Sequence, residues 1–79
     1  TIEYVKRTLH TMQGTVENFI EQFRKKKGET QEELAMAVGV TRQTIIALEK
    51  GNYVPSVLLA LKISRHFHES VEKIFKETV

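Results

Sequence analysis

The chain contains no cysteine and a single proline among its 79 residues. The first absence removes any disulfide framework and any thiolate metal site, and a cytoplasmic setting is the simplest expectation. The second leaves little to break a helix. Aspartate is missing altogether, and nothing in the sequence accounts for that. No apolar run approaches the roughly 20 residues of a transmembrane helix, so no membrane partner is expected. Four glycines are spread singly along the chain, so there is no glycine-rich loop to cradle a phosphate. Charge of one sign is scarce too: the formal net charge is +2. The basic excess lies in residues 1 to 28, with six Lys or Arg against three Glu, while residues 29 to 55 carry two against four.

Catalytic chemistry is equally absent. The histidines are His10, His66 and His68, and none belongs to a serine, cysteine and carboxylate constellation of recognisable spacing. His66 and His68 are two apart, about 200° around a helix, which spoils them as joint metal ligands. They read as surface residues. No enzyme activity, metal or cofactor is expected.

What is present is helical spacing nearly throughout, which predicts an all-α domain without a strand pair. At this length one small domain is expected, burying about 60% of its unfolded surface. Residues 1 to 14 carry a stripe of Ile2, Val5, Leu9 and Met12, predicting a separate helical arm that either packs on a partner or folds back on its own domain. The domain proper then runs over residues 15 to 79. Its first helix is predicted from Val16 to Lys27, burying Val16, Phe19, Ile20 and Phe23. The run Arg24, Lys25, Lys26 and Lys27 closes that helix, where cations complement the dipole or reach phosphates.

The segment TQEELAMAVGVTRQTIIALEKG, residues 30 to 51, carries the densest signal. Thr30 and Glu33 form a capping box, Leu34, Ala35 and Val38 share a face, and Gly39 suits a left-handed C-cap. Thr41 caps a second helix in which Ile45 and Leu48 share a face, and Gly51 stops it. Ala35 is small where two steeply crossing helices press closest. The spacing is that of a helix-turn-helix. Beyond it, Ser56 caps a helix from Val57 to Phe67 that is apolar on more than one face, and Ser70 starts a short helix carrying Val71, Ile74 and Phe75. The total is five helices plus the N-terminal extra.

Three segments in order, GETQEELAMAVGVTRQTIIALEKG, YVPSVLLALKI and SVEKIF, resemble the Xre or Cro-type helix-turn-helix repressors over roughly Val16 to Phe75. The resemblance implies a five-helix, lambda-repressor-like DNA-binding domain whose helix Arg42 to Lys50 lies in the major groove. Arg42 would then pair with guanine, Gln43 with adenine, and Ala47 would meet a thymine methyl or allow close approach. Gln31 would hold a phosphate together with its helix N-terminus. Thr41, Thr44, Lys50, Asn52 and Tyr53 are the further backbone contacts implied, although Thr41 also reads as a plain cap and Tyr53 as core packing. Arg24 and Glu49 stand where some members carry a buried ion pair.

The resemblance further implies a homodimer on a palindromic operator acting in transcriptional regulation, with Leu58, Ile74 and Phe75 or the arm at the subunit contact. Two features depart from the pattern: Ile46, where a polar residue is usual, and the arm. They keep open a role as an antitoxin or protein-interaction module that binds a partner protein through the arm or the Ile46 surface.

Overall fold

The computed structural model describes residues 15 to 78. The arm expected over residues 1 to 14 lies outside them. The order is β1 (Thr15–Asn18), α1 (Ile20–Lys26), α2 (Gln31–Val38), α3 (Arg42–Lys50), α4 (Val57–Phe67), α5 (Val71–Ile74) and β2 (Phe75–Thr78). The five expected helices are all present. A two-stranded ribbon is added to them.

That ribbon corrects the first helix and the expectation of no strand pair. Residues 15 to 18 do not begin a helix: they pair antiparallel with residues 75 to 78, Val16 opposite Glu77, Glu17 opposite Lys76 and Asn18 opposite Phe75. The physical reason is Asn18. Its Oδ1 accepts from Ile20 N–H at 3.1 Å, and its Nδ2 donates to Leu48 O at 2.7 Å. An asparagine that bonds the backbone two residues on makes a turn rather than helix interior. Phe19 N–H then donates to Ile74 O at 2.8 Å, tying the start of α1 to the end of α5. Opposite charges at Glu17 and Lys76 face each other across the ribbon, a favourable cross-strand pairing.

The core is built from one face of every helix. Ile20, Leu34, Ala35, Val38, Ile45, Leu48, Leu59, Ile63 and Ile74 are buried together, with Phe23, Val40, Phe67 and Phe75 packed against them. Leu34, Ala35 and Val38 on α2 meet Ile45 and Leu48 on α3, as their spacing predicted. Each buried aliphatic side chain stabilises the fold by about 1.5 to 3 kcal/mol through removal from water. The caps fall where the sequence put them. Thr30 Oγ1 accepts from Glu33 N–H at 3.0 Å, and Glu33 Oε1 accepts from Thr30 N–H at 2.8 Å. Thr41, Ser56 and Ser70 cap α3, α4 and α5 through their hydroxyls. Gly39 ends α2 at φ 77° and Gly51 ends α3 at φ 80°. No described helix is long and apolar enough to cross a membrane.

Candidate nucleic-acid interface

Two helix N-termini open onto one side of the molecule. Thr30, Gln31, Glu32 and Arg42 line a single surface depression together with Arg24, Gly28 and Glu29. The starts of α2 and α3 are thereby brought together although Gln31 and Arg42 are eleven positions apart in sequence. Helix N-termini carry partial positive charge and unsatisfied N–H groups, so a pair of them favours an anionic backbone.

Of the residues expected to read bases, Arg42 and Gln43 are exposed in the first turn of α3, and Ala47 is half-buried one turn further on. Among the described residues Arg42 enters no ion pair or hydrogen bond, and its side chain is exposed. The backbone candidates divide. Lys50, Asn52 and Tyr53 are exposed around the αL turn at Gly51, and Asn52 N–H is bonded to Ala47 O at 3.0 Å. Thr41 and Thr44 face each other, hydroxyl to hydroxyl at 3.0 Å, while Thr41 Oγ1 also accepts Thr44 N–H at 3.2 Å. Thr41 is therefore a cap in this structure. Tyr53 is 44% exposed and lines a depression with the core residues Val38 and Leu59, so it is partly packed and partly open.

Beneath this surface lies the ion pair. Arg24 Nε donates to Glu49 Oε2 at 2.6 Å and Arg24 Nη2 to Glu49 Oε1 at 3.1 Å, a bidentate fork. The two side chains are 10% and 4% exposed. The Glu49 carboxylate, by hydrogen bonding, holds the Arg24 guanidinium above its ordinary pKa, while burial pulls the other way. Glu49 Oε1 also accepts from Gln31 Nε2 at 3.0 Å. One carboxylate at the end of α3 thus holds both α1 and the first residue of α2. Gln31 is half-buried, and its amide nitrogen is engaged by this bond.

Two expectations need correction. Ile74 has no exposed area and is part of the core, and Phe75 is half-buried in β2, so neither is open at the surface as Leu58 is. The reason is the junction of α5 with α1, which the Phe19 N–H to Ile74 O bond closes. His66 is no free surface residue either. Its Nε2–H donates to both Glu29 oxygens, at 2.8 and 3.0 Å. Sequence reasoning missed this pair because its members are 37 positions apart and neither has a local signature. His68 is exposed, and His10 lies outside the described residues. Also missed was the extent of the apolar surface, where Val54, Val57 and Leu61 lie exposed beside Leu58. The signal was there, in an α4 apolar on more than one face. Ile46 is half-buried on α3.

Paired N-termini over a carboxylate-braced helix crossing, with an exposed arginine and glutamine leading the second helix, define a helix-turn-helix domain for DNA. The chain belongs to the Xre-type helix-turn-helix family of transcriptional regulators: the helix-turn-helix family model matches residues 20 to 74. It is similar to the uncharacterized HTH-type transcriptional regulator YgzD of Bacillus subtilis, 50% identical over 60 residues, 76% of this chain and 91% of that protein. An uncharacterized HTH-type transcriptional regulator of Methanothermobacter thermautotrophicus is 61% identical over 57 residues, 71% of this chain and 83% of that protein. Among solved structures, the clp gene regulator ClgR from Corynebacterium glutamicum superposes with a TM-score of 0.62 at 33% identity, over 66% of this chain. The match spans 55% of the ClgR chain. The fold is all-α and lambda-repressor-like, and the protein is a DNA-binding regulator rather than an enzyme.

Proposed function

We propose that this protein is a sequence-specific transcriptional repressor that acts in the cytoplasm as a homodimer on a palindromic operator. The observation that supports the reading is the shared depression of Gln31 and Arg42, which sets the start of α2 beside the start of α3 on one surface. In this reading Arg42 pairs with guanine O6 and N7, Gln43 with adenine N6 and N7, and Ala47 meets a thymine methyl. The N-terminus of α2 with Gln31 holds a backbone phosphate, and Lys50, Asn52, Tyr53 and the Thr41 and Thr44 hydroxyls make further backbone contacts that set register. The two-fold axis passes beside Leu58, whose neighbours Val57 and Leu61 extend an apolar face suited to self-association. Residues 15 to 79 are the DNA-binding domain and residues 1 to 14 an arm.

Selection of bound duplexes from a random pool tests it directly. The expected product is an inverted repeat with half-site centres about one helical turn, roughly 34 Å, apart. Arg42→Ala should relax the preference at a guanine and Gln43→Ala at an adenine, each with about 1 to 3 kcal/mol less discrimination. Retained preference in both variants would sink this assignment of the recognition face.

A further inference from the structure

Glu29 lines the same depression as Gln31 and Arg42, but its partner His66 stands at the end of α4, and none of the base or phosphate contacts proposed above uses the pair. Its side chains are 18% and 12% exposed, so the contact is largely shielded from water. His66 is itself held at its ring and at its backbone, and the ring that supports it is packed in turn. Its ring stacks edge-on against Phe67 at 5.0 Å, its carbonyl accepts from Lys27 Nζ at 3.3 Å, and Phe67 rests on Phe23 at 5.9 Å. A side chain fixed this firmly transmits its position to its partner. That partner is Glu29, the residue immediately before Thr30, the N-cap of α2.

Glu29 is gripped at its backbone as well. Its carbonyl accepts from Arg24 Nη1 at 2.8 Å, and its N–H donates to Arg24 O at 3.0 Å. The same guanidinium forks onto Glu49, which accepts from Gln31. A continuous series of hydrogen bonds therefore runs from the end of α4 through Glu29 and Arg24 to Glu49 and Gln31. Without the His66 contact, the residue before the N-cap of α2 would lose its tie to α4 and keep only its backbone bonds to Arg24, with the Gln31 bond to Glu49 as the next anchor of α2.

We propose that His66 is a positioning residue for DNA binding: by clamping Glu29 it fixes where the N-terminus of α2 and Gln31 meet the DNA backbone. The proposal rests on the reading of Gln31 and Arg42 as DNA-facing residues. A connection of this kind couples its members energetically, so losses at its two ends are not additive.

The test uses the full chain and a duplex selected from a random pool by the wild-type protein. His66→Ala, His66→Gln, Gln31→Ala, Arg42→Ala and the His66→Ala, Gln31→Ala double variant are compared, with folding of each checked by circular dichroism. His66→Ala should weaken binding about tenfold, the loss of one hydrogen bond to a charged group. His66→Gln, whose amide still donates to Glu29, should recover to within about threefold of wild type. The double variant should lose no more than the weaker binder of the two single variants. A merely structural role would lower thermal stability and leave the affinity of folded protein unchanged. Binding by His66→Ala within about twofold of wild type, or losses that multiply in the double variant, would overturn the proposal. If neither Gln31→Ala nor Arg42→Ala weakens binding, the DNA-facing assignment falls and this inference falls with it.

Discussion

Glu49 accepts from three donors, two on Arg24 and one on Gln31, in a place where water reaches little of it. Replacing it with alanine leaves the guanidinium its bond to Glu29 O and no side-chain acceptor among the described residues. A buried charge left alone costs on the order of 3 to 5 kcal/mol, against about 5 to 15 kcal/mol for the stability of a whole domain. Urea unfolding of Glu49→Ala should show its midpoint falling accordingly with an unchanged slope. A loss below about 1 kcal/mol would mean that the pair behaves as an exposed one. The pair was anticipated because the resemblance carries both of its residues. Glu29 and His66 form a comparable contact that no pattern announced, since a salt bridge between distant positions leaves no periodicity behind.

Helix starts and stops were the most legible features of the chain. Thr30 with Glu33, Thr41, Ser56 and Ser70 all cap where expected, because a cap is a hydrogen bond within three residues and needs no tertiary partner. The ribbon was hidden for the opposite reason. Val16, Phe19, Ile20 and Phe23 keep a helical interval across the boundary, and only pairing with residues 75 to 78 makes residues 15 to 18 a strand. Strands of four residues are too short to establish an alternation of their own. One stop signal was also concealed. His68 ends α4 at φ 57°, a left-handed conformation that glycine takes freely, and a Ser64 hydroxyl bond to Glu69 O closes the turn around it. An L-residue pays about 1 to 2 kcal/mol there, partly offset in glycine by about 0.5 to 1 kcal/mol of extra chain entropy. His68→Gly should therefore stabilise by roughly 0.5 to 1 kcal/mol and raise the melting temperature by about 2 to 6 °C. Calorimetry would detect it, and a lower melting temperature would show that the His68 side chain contributes more than its backbone costs.

At the scale of the molecule, the helical fold was readable, because five helices, four of them with side-chain caps, around a helix-turn-helix glycine turn admit few arrangements. The subunit face was not. Burial of Ile74 depends on how α5 meets α1, a tertiary fact that leaves Leu58 as the open member of its predicted group. The low net charge has a measurable consequence. Arg42 is assigned to a base and Lys50 is the cation of the motif assigned to the backbone, so a dimer engages about two phosphates through charge, and log K should fall against log salt with a slope of about −2. Filter binding across a salt series would measure it. A slope near −10 would require basic residues outside the motif, and a slope near zero would remove phosphate contact altogether.

The ribbon carries one more consequence. Thr15 and Thr78 stand opposite each other, and facing residues of an antiparallel pair are about 4.5 to 5.5 Å apart at Cα. A two-residue hairpin turn spans that gap. The domain is thus a ring of elements whose cut point is arbitrary. A circular permutant of residues 15 to 78, joined there and reopened in the exposed stretch from Asn52 to Val54, would keep every helix contact while its new ends fall in the loop that follows α3.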